Sequence, residues 1–292
     1  MFEKILLSLD GSDLAENVIP YGEALAAGLG AELILFHVCE PTAAHNLAHS
    51  MHALYLERVA ELIRTRHPGV TVSTVRLDGS FTAGICEYTE KNNIGLVMMV
   101  PRGFTSLMNM LKGSVTDDVF RLVKCPTLLV RSQKLDKVGL KRILLALDGT
   151  SGSETALPVA RELTSKLGAK LVLFKMARRS HYAPAQSDMV GDKGTEDDLA
   201  DRKEQEKSLD YLKRKEESLS KLGLNVSSMV VLGDEAASAI ADATRESGAD
   251  LVLMATRGYT DIGAWAQDSV AHRLMGYGDP PLMLIKIVAP VK

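Results

Sequence analysis

The sequence predicts two tandem doubly wound α/β domains, each with a five-stranded parallel sheet and helices on both faces. Three observations support this prediction. The chain has 292 residues, about twice the length of a common single domain. Its two halves repeat one another in order and spacing. Within each copy, short apolar runs alternate with longer segments of helical period, which is typical of parallel strands joined by helices.

The internal repeat extends through most of the chain. Three pairs of matching segments carry it: 4–12 with 142–150, 30–36 with 168–174, and 94–99 with 249–254. The offset grows from 138 to 155 between the second and third pairs, so the second copy has gained 17 residues. We expect domain 1 to span 1–134 and domain 2 to span 139–292, with a charged insertion near 192–218.

Each element of the first copy follows from its local pattern. Apolar, β-branched runs predict strands near 3–9, 32–38, 70–77, 95–100 and 126–131. Helical periodicity predicts helices near 13–29, 46–66, 81–92 and 114–123. Capping-box spacing marks the first helix of each copy, Asp13 with Glu16 and Ser151 with Glu154. In the insertion, the segment 195–222 predicts a charged helix, which we interpret as a solvated face rather than a docking surface.

Composition excludes several classes of function. The formal net charge is -3, so the chain has no basic field to hold a nucleic-acid backbone. Cys39, Cys86 and Cys125 form no CxxC pair, which favours a reducing compartment. No apolar run approaches the roughly 20 residues of a membrane-spanning helix. We therefore expect a cytoplasmic protein whose partners include neither nucleic acid nor a membrane.

Two loops of the first copy have the composition of an anion-binding site. One is Asp10-Gly11-Ser12 after the first strand, and the other follows the fourth strand, at 100–103 and 113–117. Ligands of a doubly wound sheet bind at this carboxyl edge. Glycines let backbone amides approach a phosphate, and the helix start adds free N–H groups and a favourable dipole. The same residues also serve as plain turns and caps, so both interpretations stay open.

In this order and spacing, the motifs resemble the universal stress protein family, whose nucleotide-binding members carry G-x2-G-x9-G-[ST] after the fourth strand. The resemblance covers nearly the whole chain twice, from the opening strand with its Asp, through His37-Val38, to the last strand after Cys125-Pro126. It implies a Rossmann-like, adenine nucleotide alpha-hydrolase-like fold. It also implies that ATP, ADP or AMP is the cofactor. A Mg²⁺ ion bound with the nucleotide is compatible with this expectation.

Taken residue by residue, the resemblance implies a nucleotide site in domain 1. Its positions are Asp10, Val38, Val100, Gly103, Gly113, Ser114 and Val115. The first two hold the adenosine end, and the last four contact phosphate. Val100 replaces a glycine of the family, and we expect its branched side chain to crowd the ribose.

The same comparison predicts a degenerate site in domain 2. Its positions are Asp148, Ala255, Gly258, Asp268 and Ser269. Asp268 places a carboxylate where phosphate oxygens would lie, and like charges about 4 Å apart cost on the order of 1–4 kcal/mol. Its side chain also caps the following helix in place of an anion. We therefore predict that this copy does not bind ATP in the manner of the family.

Three functions stay open from the sequence. The first is a stress-response regulatory protein that binds an adenine nucleotide in domain 1, and the second is a nucleotide-free module for protein interaction and dimerisation. A slow ATPase is the least favoured, because no residue is placed to activate water, and we expect no catalytic residues. The resemblance implies that the last strands, 127–131 and 282–287, pair antiparallel as an intramolecular pseudo-dimer. Homodimers and an unknown protein partner are compatible with it.

A histidine cluster follows the second strand. His45, His49 and His52 share one helical face, with His37 and Cys39 nearby. Two histidines one turn apart can share a metal ion, but a third on the same helix reaches that ion poorly. We therefore interpret the cluster as histidines at the surface or the edge of the core and predict no metal site.

Overall fold

The computed structural model describes residues 1–39, 45–101, 115–130, 138–180, 193–257, 269–277 and 280–287, with backbone alone at 45–50, 115–117, 193–196, 257 and 276. The strands in these ranges are β1 Lys4–Ser8, β2 Glu32–Cys39, β3 Val72–Asp78, β4 Leu96–Met99, β5 Thr127–Leu129, β6 Arg142–Ala146, β7 Lys170–Arg178, β8 Val226–Gly233, β9 Leu251–Arg257 and β10 Leu282–Ile287. The helices are α1 Ile19–Leu29, α2 His45–Arg66, α3 Phe81–Lys91, α4 Val115–Leu122, α5 Ser151–Glu154, α6 Leu157–Leu167, α7 Lys193–Ser220, α8 Ala236–Ser247 and α9 Val270–Gly276.

The described strands form one sheet in the order β3-β2-β1-β4-β5-β10-β9-β6-β7-β8. Neighbouring strands are parallel within each half. At the centre β5 and β10 meet antiparallel, with Leu129 opposite Leu282 and Thr127 opposite Leu284. The pairing predicted for the two last strands is therefore observed. It covers two sheet edges that would otherwise be open to other chains.

Helices cover both faces of this sheet, which confirms the predicted fold class. Along β2, Leu33 and Leu35 point to the face covered by α1, α2, α6 and α7. Ile34 and Phe36 point to the other face, which α3, α4, α8 and α9 cover. Each core cluster draws side chains from both halves, because the sheet runs continuously through the strand pairing at its centre.

The first helix begins later than its sequence pattern predicts. Residues Ala15–Val18 form a 3₁₀ turn, and α1 starts only at Ile19, with Pro20 in its first turn. A proline is tolerated there because the first N–H groups of a helix have no intrahelical partner. Pro158 occupies the matching place in α6. The prediction joined the turn to the helix because the apolar spacing continues through both.

The charged insertion lengthens an existing element instead of forming a new one. Helix α7 lies between the second and third strands of its half, as α2 does, but has 28 residues against 22. Its inner side buries Ser208, Leu212 and Leu219, while most of its charged residues are exposed. Neither α7 nor any other helix in the described ranges combines the length and apolarity that a membrane span requires.

Polar contacts also join the two halves. The N-terminal ammonium of Met1 lies 3.1 Å from a carboxylate oxygen of Glu162. Lys286, at the end of β10, donates to the backbone carbonyl of Arg121 at 2.7 Å and to that of Val123. These two carbonyls end α4, so a cation from the second half satisfies a helix terminus of the first.

Candidate functional site

Those predicted site residues that the structure describes lie at the carboxyl edge of the sheet. In each half the second and third strands lie on one side of the first strand, and the fourth strand lies on its other side. Thus β1 pairs with β4, and β6 pairs with β9. Such a reversal leaves a crevice beyond the two strand ends. Asp10 and Val100 follow β1 and β4 at this edge, while Asp148 follows β6 and Ala255 lies near the end of β9.

The turn after the first strand has the same geometry in both halves. One carboxylate oxygen of Asp10 accepts the backbone N–H of Ser12 at 2.8 Å and its hydroxyl at 2.5 Å. Asp148 accepts the corresponding bonds from Thr150 at 2.8 and 2.6 Å. The glycine between them has φ of 80° in the first half and 91° in the second, a conformation that glycine adopts without strain. The duplication has therefore kept this turn intact.

The helix caps lie one residue earlier than predicted. The side-chain oxygens of Ser12 and Thr150 each accept the backbone N–H three residues later, at 3.2 Å. The prediction of Asp13 and Ser151 as caps was wrong, because the aspartate turn fixes the preceding hydroxyl at the cap position.

The described part of the first-half site contains Asp10, Val38 and Val100. Val38 is buried, 5% exposed, on the face covered by α3. Val100 is half-buried and packs against the core cluster of the opposite face. Of the predicted phosphate-contacting positions, Val115 begins α4. The other three, Gly103, Gly113 and Ser114, lie outside the described residues, so their roles stay predictions.

A cavity of about 330 Å³ lies at the same edge of the second half. Three predicted residues line it: Asp148, Ala255 and Ser269. Its volume is at the lower end of the range of small-molecule sites. The rest of its wall is mainly apolar and includes Phe174, Met176, Ile240, Met254 and Ile287. Sequence reasoning missed these residues because apolar side chains at strand ends look like ordinary core positions.

Charge and capping define the polar part of this cavity. Burial opposes ionisation of Asp148, but hydrogen bonds from Thr150 and Ser153 outweigh it and hold the pKa of the carboxyl below its usual range. The wall therefore carries a negative charge at neutral pH. Ser269 caps α9, since its hydroxyl accepts the N–H of His272 at 3.1 Å. Gly258 and Asp268 lie outside the described residues.

The structure brings His52 together with the two residues predicted to lie near the histidine cluster. Side chains of His37, Cys39 and His52 converge, whereas those of His45 and His49 lie outside the described part of the chain. Nδ1 of His37 donates to the carbonyl of the residue before Asp10, at 2.7 Å. Burial lowers the pKa of His37 despite that bond, so the ring is neutral at pH 7. The structure thus groups two strand residues with one helix residue.

Comparison with known proteins places both halves in one family. A sequence model described as the universal stress protein family matches residues 1–131 and 139–286. Universal stress protein YxiE of Bacillus subtilis is 26% identical over 148 residues, which cover 45% of this chain and 100% of the relative. A universal stress protein of Thermus aquaticus is 30% identical over 138 residues, with 45% and 100% coverage. Each of these relatives is thus about as long as one half of the chain.

A solved structure matches the two halves together. The crystal structure of a universal stress protein from Archaeoglobus fulgidus covers 97% of this chain and 96% of its own, with a TM-score of 0.70 and 20% sequence identity. At 20% identity this similarity shows a shared fold and nothing more specific.

Proposed function

The chain belongs to the universal stress protein family, and on that premise we propose that it is a stress-response regulatory protein that binds an adenine nucleotide in its first half. The nucleotide, ATP, ADP or AMP, occupies the crevice beyond β1 and β4, with Asp10 and Val38 at its adenosine end. Its phosphates lie near the start of α4, against Gly103, Gly113, Ser114 and Val115. Mg²⁺ accompanies the phosphates in this proposal.

The observation that carries the proposal is the turn after β1. It fixes one carboxylate oxygen of Asp10 at the crevice, through the 2.8 and 2.5 Å bonds from Ser12. A carboxylate accepts hydrogen bonds through both oxygens, which suits the hydroxyl and amino groups of a nucleoside. The glycine motif follows β4, which is the neighbour of β1 in the sheet. The proposal therefore puts Asp10 and the glycine motif at the same carboxyl edge.

The second half differs from the first in its proposed ability to bind ATP. Its cavity has room for a small molecule, and Asp148 on its wall matches Asp10 of the first half. Asp268 adds a second carboxylate to the loop that the family uses for phosphate. This negative charge, at a position where the first half has Gly113, opposes the approach of a triphosphate. We propose that this half does not hold ATP in the family's manner.

A nucleotide-free interaction module is the second candidate function. The ten-stranded sheet favours it, because the β5–β10 pairing joins the halves without a ligand. In this alternative the proposed domains, 1–134 and 139–292, act as a fixed pair that presents surfaces to a protein partner. An ATPase activity has no support from the described residues of the crevice, where Asp10 is engaged by its own turn.

Nucleotide carried through purification tests the proposal. The full-length protein is denatured, and the released small molecules are identified by chromatography. Isothermal titration of the nucleotide-free protein with ATP, ADP and AMP then gives affinity and stoichiometry. We expect one adenine nucleotide per chain, bound with micromolar or tighter affinity. A protein that emerges empty and ignores all three nucleotides would contradict the proposal and favour the interaction module.

A further inference from the structure

Three side chains of the first half surround one point at the edge of the core. His37 and Cys39 are two residues apart on β2 and therefore project from the same face of the sheet. His52 comes from α2, which covers that face. Nδ1 of His52 lies 3.1 Å from Nε2 of His37 and 3.3 Å from Sγ of Cys39. All three atoms lie within 4.8 Å of one another.

Both strand residues are buried, which is ordinary for cysteine and less common for histidine. They continue the stripe of Leu33 and Leu35 along β2 and are only 4% and 6% exposed, for His37 and Cys39 respectively. Burial of a polar group is costly unless its hydrogen-bonding capacity is satisfied. Aliphatic side chains would fill this part of the core at no such cost. The His37 imidazole meets this cost through Leu9 and His52, and the Cys39 thiol shares the same His52 nitrogen.

Hydrogen bonds within the trio do not satisfy all three atoms. Because Leu9 offers a carbonyl, Nδ1 of His37 carries a hydrogen, and Nε2 of the neutral ring presents a lone pair to His52. A hydrogen on His52 Nδ1 directed at His37 leaves the Cys39 thiol hydrogen without an acceptor in the trio. A thiol hydrogen directed at His52 leaves two nitrogen lone pairs facing each other. A cation among the three atoms resolves both conflicts.

We infer that His37, Cys39 and His52 form a binding site for a divalent transition-metal ion, best suited to Zn²⁺. Tetrahedral Zn²⁺ has Zn–N distances of about 2.0–2.1 Å and a Zn–S distance of about 2.3 Å, which separate neighbouring ligand atoms by about 3.3–3.6 Å. The observed 3.1 and 3.3 Å are within a few tenths of an ångström of those separations. The half-buried His52 leaves a side of the site near solvent, so a water completes the tetrahedron.

The surroundings of the trio support this assignment. Metal-bound histidines commonly donate their second ring N–H to a carbonyl, which fixes the tautomer and the ring orientation. The 2.7 Å bond from His37 to Leu9 has this geometry. Imidazole and thiolate ligands select zinc-like ions, whereas Mg²⁺ prefers oxygen ligands. This site is therefore distinct from any magnesium ion bound by nucleotide phosphates.

The duplicated half provides an internal comparison. Phe36 and Phe174 occupy matching registers beside the first strands, so the residues that match His37 and Cys39 are Lys175 and Ala177. Neither is a ligand of the type that the trio supplies. The inference thus predicts one such site per chain. The second half also shows that the fold accepts alanine at the position of Cys39, because the matching Ala177 is fully buried.

Zinc titration of the full-length protein tests the site. The protein is stripped with a chelator, and Zn²⁺ binding is measured by competition with a chromophoric chelator, in the wild type and in Cys39→Ala and His52→Ala. We expect one Zn²⁺ per wild-type chain and affinity at least about tenfold weaker in both variants. Cys86→Ala and His67→Ala, which change a cysteine and a histidine outside the trio, should bind as the wild type does.

Spectroscopy and folding controls complete the test. Co²⁺ in the same site should give tetrahedral absorption and a thiolate charge-transfer band that Cys39→Ala lacks. Circular dichroism should show that Cys39→Ala is folded, because it installs the residue of the second half. Zn²⁺ should raise the thermal midpoint of the wild type and not of that variant. Absence of micromolar binding by the wild type, or unchanged binding by both ligand variants, would overturn the inference.

Discussion

At the end of β2 the chain presents His37 and Cys39, whereas the matching end of β7 presents Lys175 and Ala177. The turn beside these strand ends is the same in both halves, with one aspartate oxygen held by the hydroxyl and N–H two residues on. The two halves thus agree where the backbone must turn and differ in the side chains at the ends of these strands.

This difference shows which constraints survived the duplication. Core positions such as Phe36 and Phe174 are shared because each half must fill the same space between sheet and helices. The strand-end residues His37, Cys39 and Ala177 are also buried, but the chemistry of these positions changed between the copies. The comparison therefore separates residues that hold the fold from residues that define a site. The predictions below test that separation.

Removal of the shared aromatic residues should have the largest effect. Phe36→Ala and Phe174→Ala each empty a fully buried position and should lower the free energy of unfolding by about 3–5 kcal/mol. Phe36→Ala should cost more, because it also loses the contact with the Tyr88 ring at 5.1 Å, and because Phe174 already borders a cavity. Urea unfolding of both variants measures the difference. A smaller loss of unfolding free energy for Phe36→Ala than for Phe174→Ala would contradict this order.

The longer helix of the second half should depend on its inner side. Leu212 is fully buried and Leu209 is 41% exposed, on the same turn of α7. Leu212→Ala should therefore cost about 2–5 kcal/mol, and Leu209→Ala less than about 0.5 kcal/mol. Chemical denaturation followed by circular dichroism compares the pair. Equal, small losses would mean that α7 is only a solvated addition to the second half.

The crowding at the first glycine position should appear in nucleotide affinity. Val100 stands where the family has a glycine beside the ribose, so Val100→Gly should tighten ATP binding, by about tenfold if it relieves about 1.4 kcal/mol of strain. Ala255→Gly is the matched change in the second half and should leave affinity unchanged. Titration calorimetry of the two full-length variants decides the point. Unchanged affinity of Val100→Gly would refute the crowding argument.

A smaller, pH-dependent effect should come from His272 in the second half. Burial lowers the pKa of His272, at a position where the first copy has Asp117. The folded ring stays neutral while the unfolded one takes up a proton, so stability should fall as pH drops below about 6.5, by at most about 1.4 kcal/mol per pH unit. The unfolding free energies of the wild type and of His272→Gln are measured from pH 7.5 to 5. The difference between the two isolates the contribution of this histidine. A flat difference would contradict the assignment.

The sequence predicted the sheet well and the site only in part. The strands followed from apolar runs and from the repeat, because burial sets both patterns, whereas the β5–β10 pairing was an expectation from the family resemblance. The start of α1 and its cap were misplaced by a few residues, since Ala15–Val18 continues the helical spacing. The apolar wall of the second-half cavity gave no signal, because Met176 and Met254 resemble ordinary core residues.

The histidine cluster shows what helical spacing alone leaves out. Helical periodicity grouped His45, His49 and His52, which lie on one element. The grouping of His52 with His37 and Cys39 depends instead on how α2 packs over β2. Such contacts between elements are set by tertiary packing, which no local pattern encodes.

The central claim is that nucleotide binding belongs to the first half and not to its duplicate. Calorimetric titration of ATP into full-length Asp10→Ala and Asp148→Ala tests it most directly, because the two variants change matched turns of identical geometry. We predict that the wild type and Asp148→Ala bind one ATP per chain with the same affinity, and that Asp10→Ala binds at least about tenfold more weakly, a loss of about 1.4 kcal/mol. Loss of binding in Asp148→Ala, with Asp10→Ala unaffected, would contradict the account.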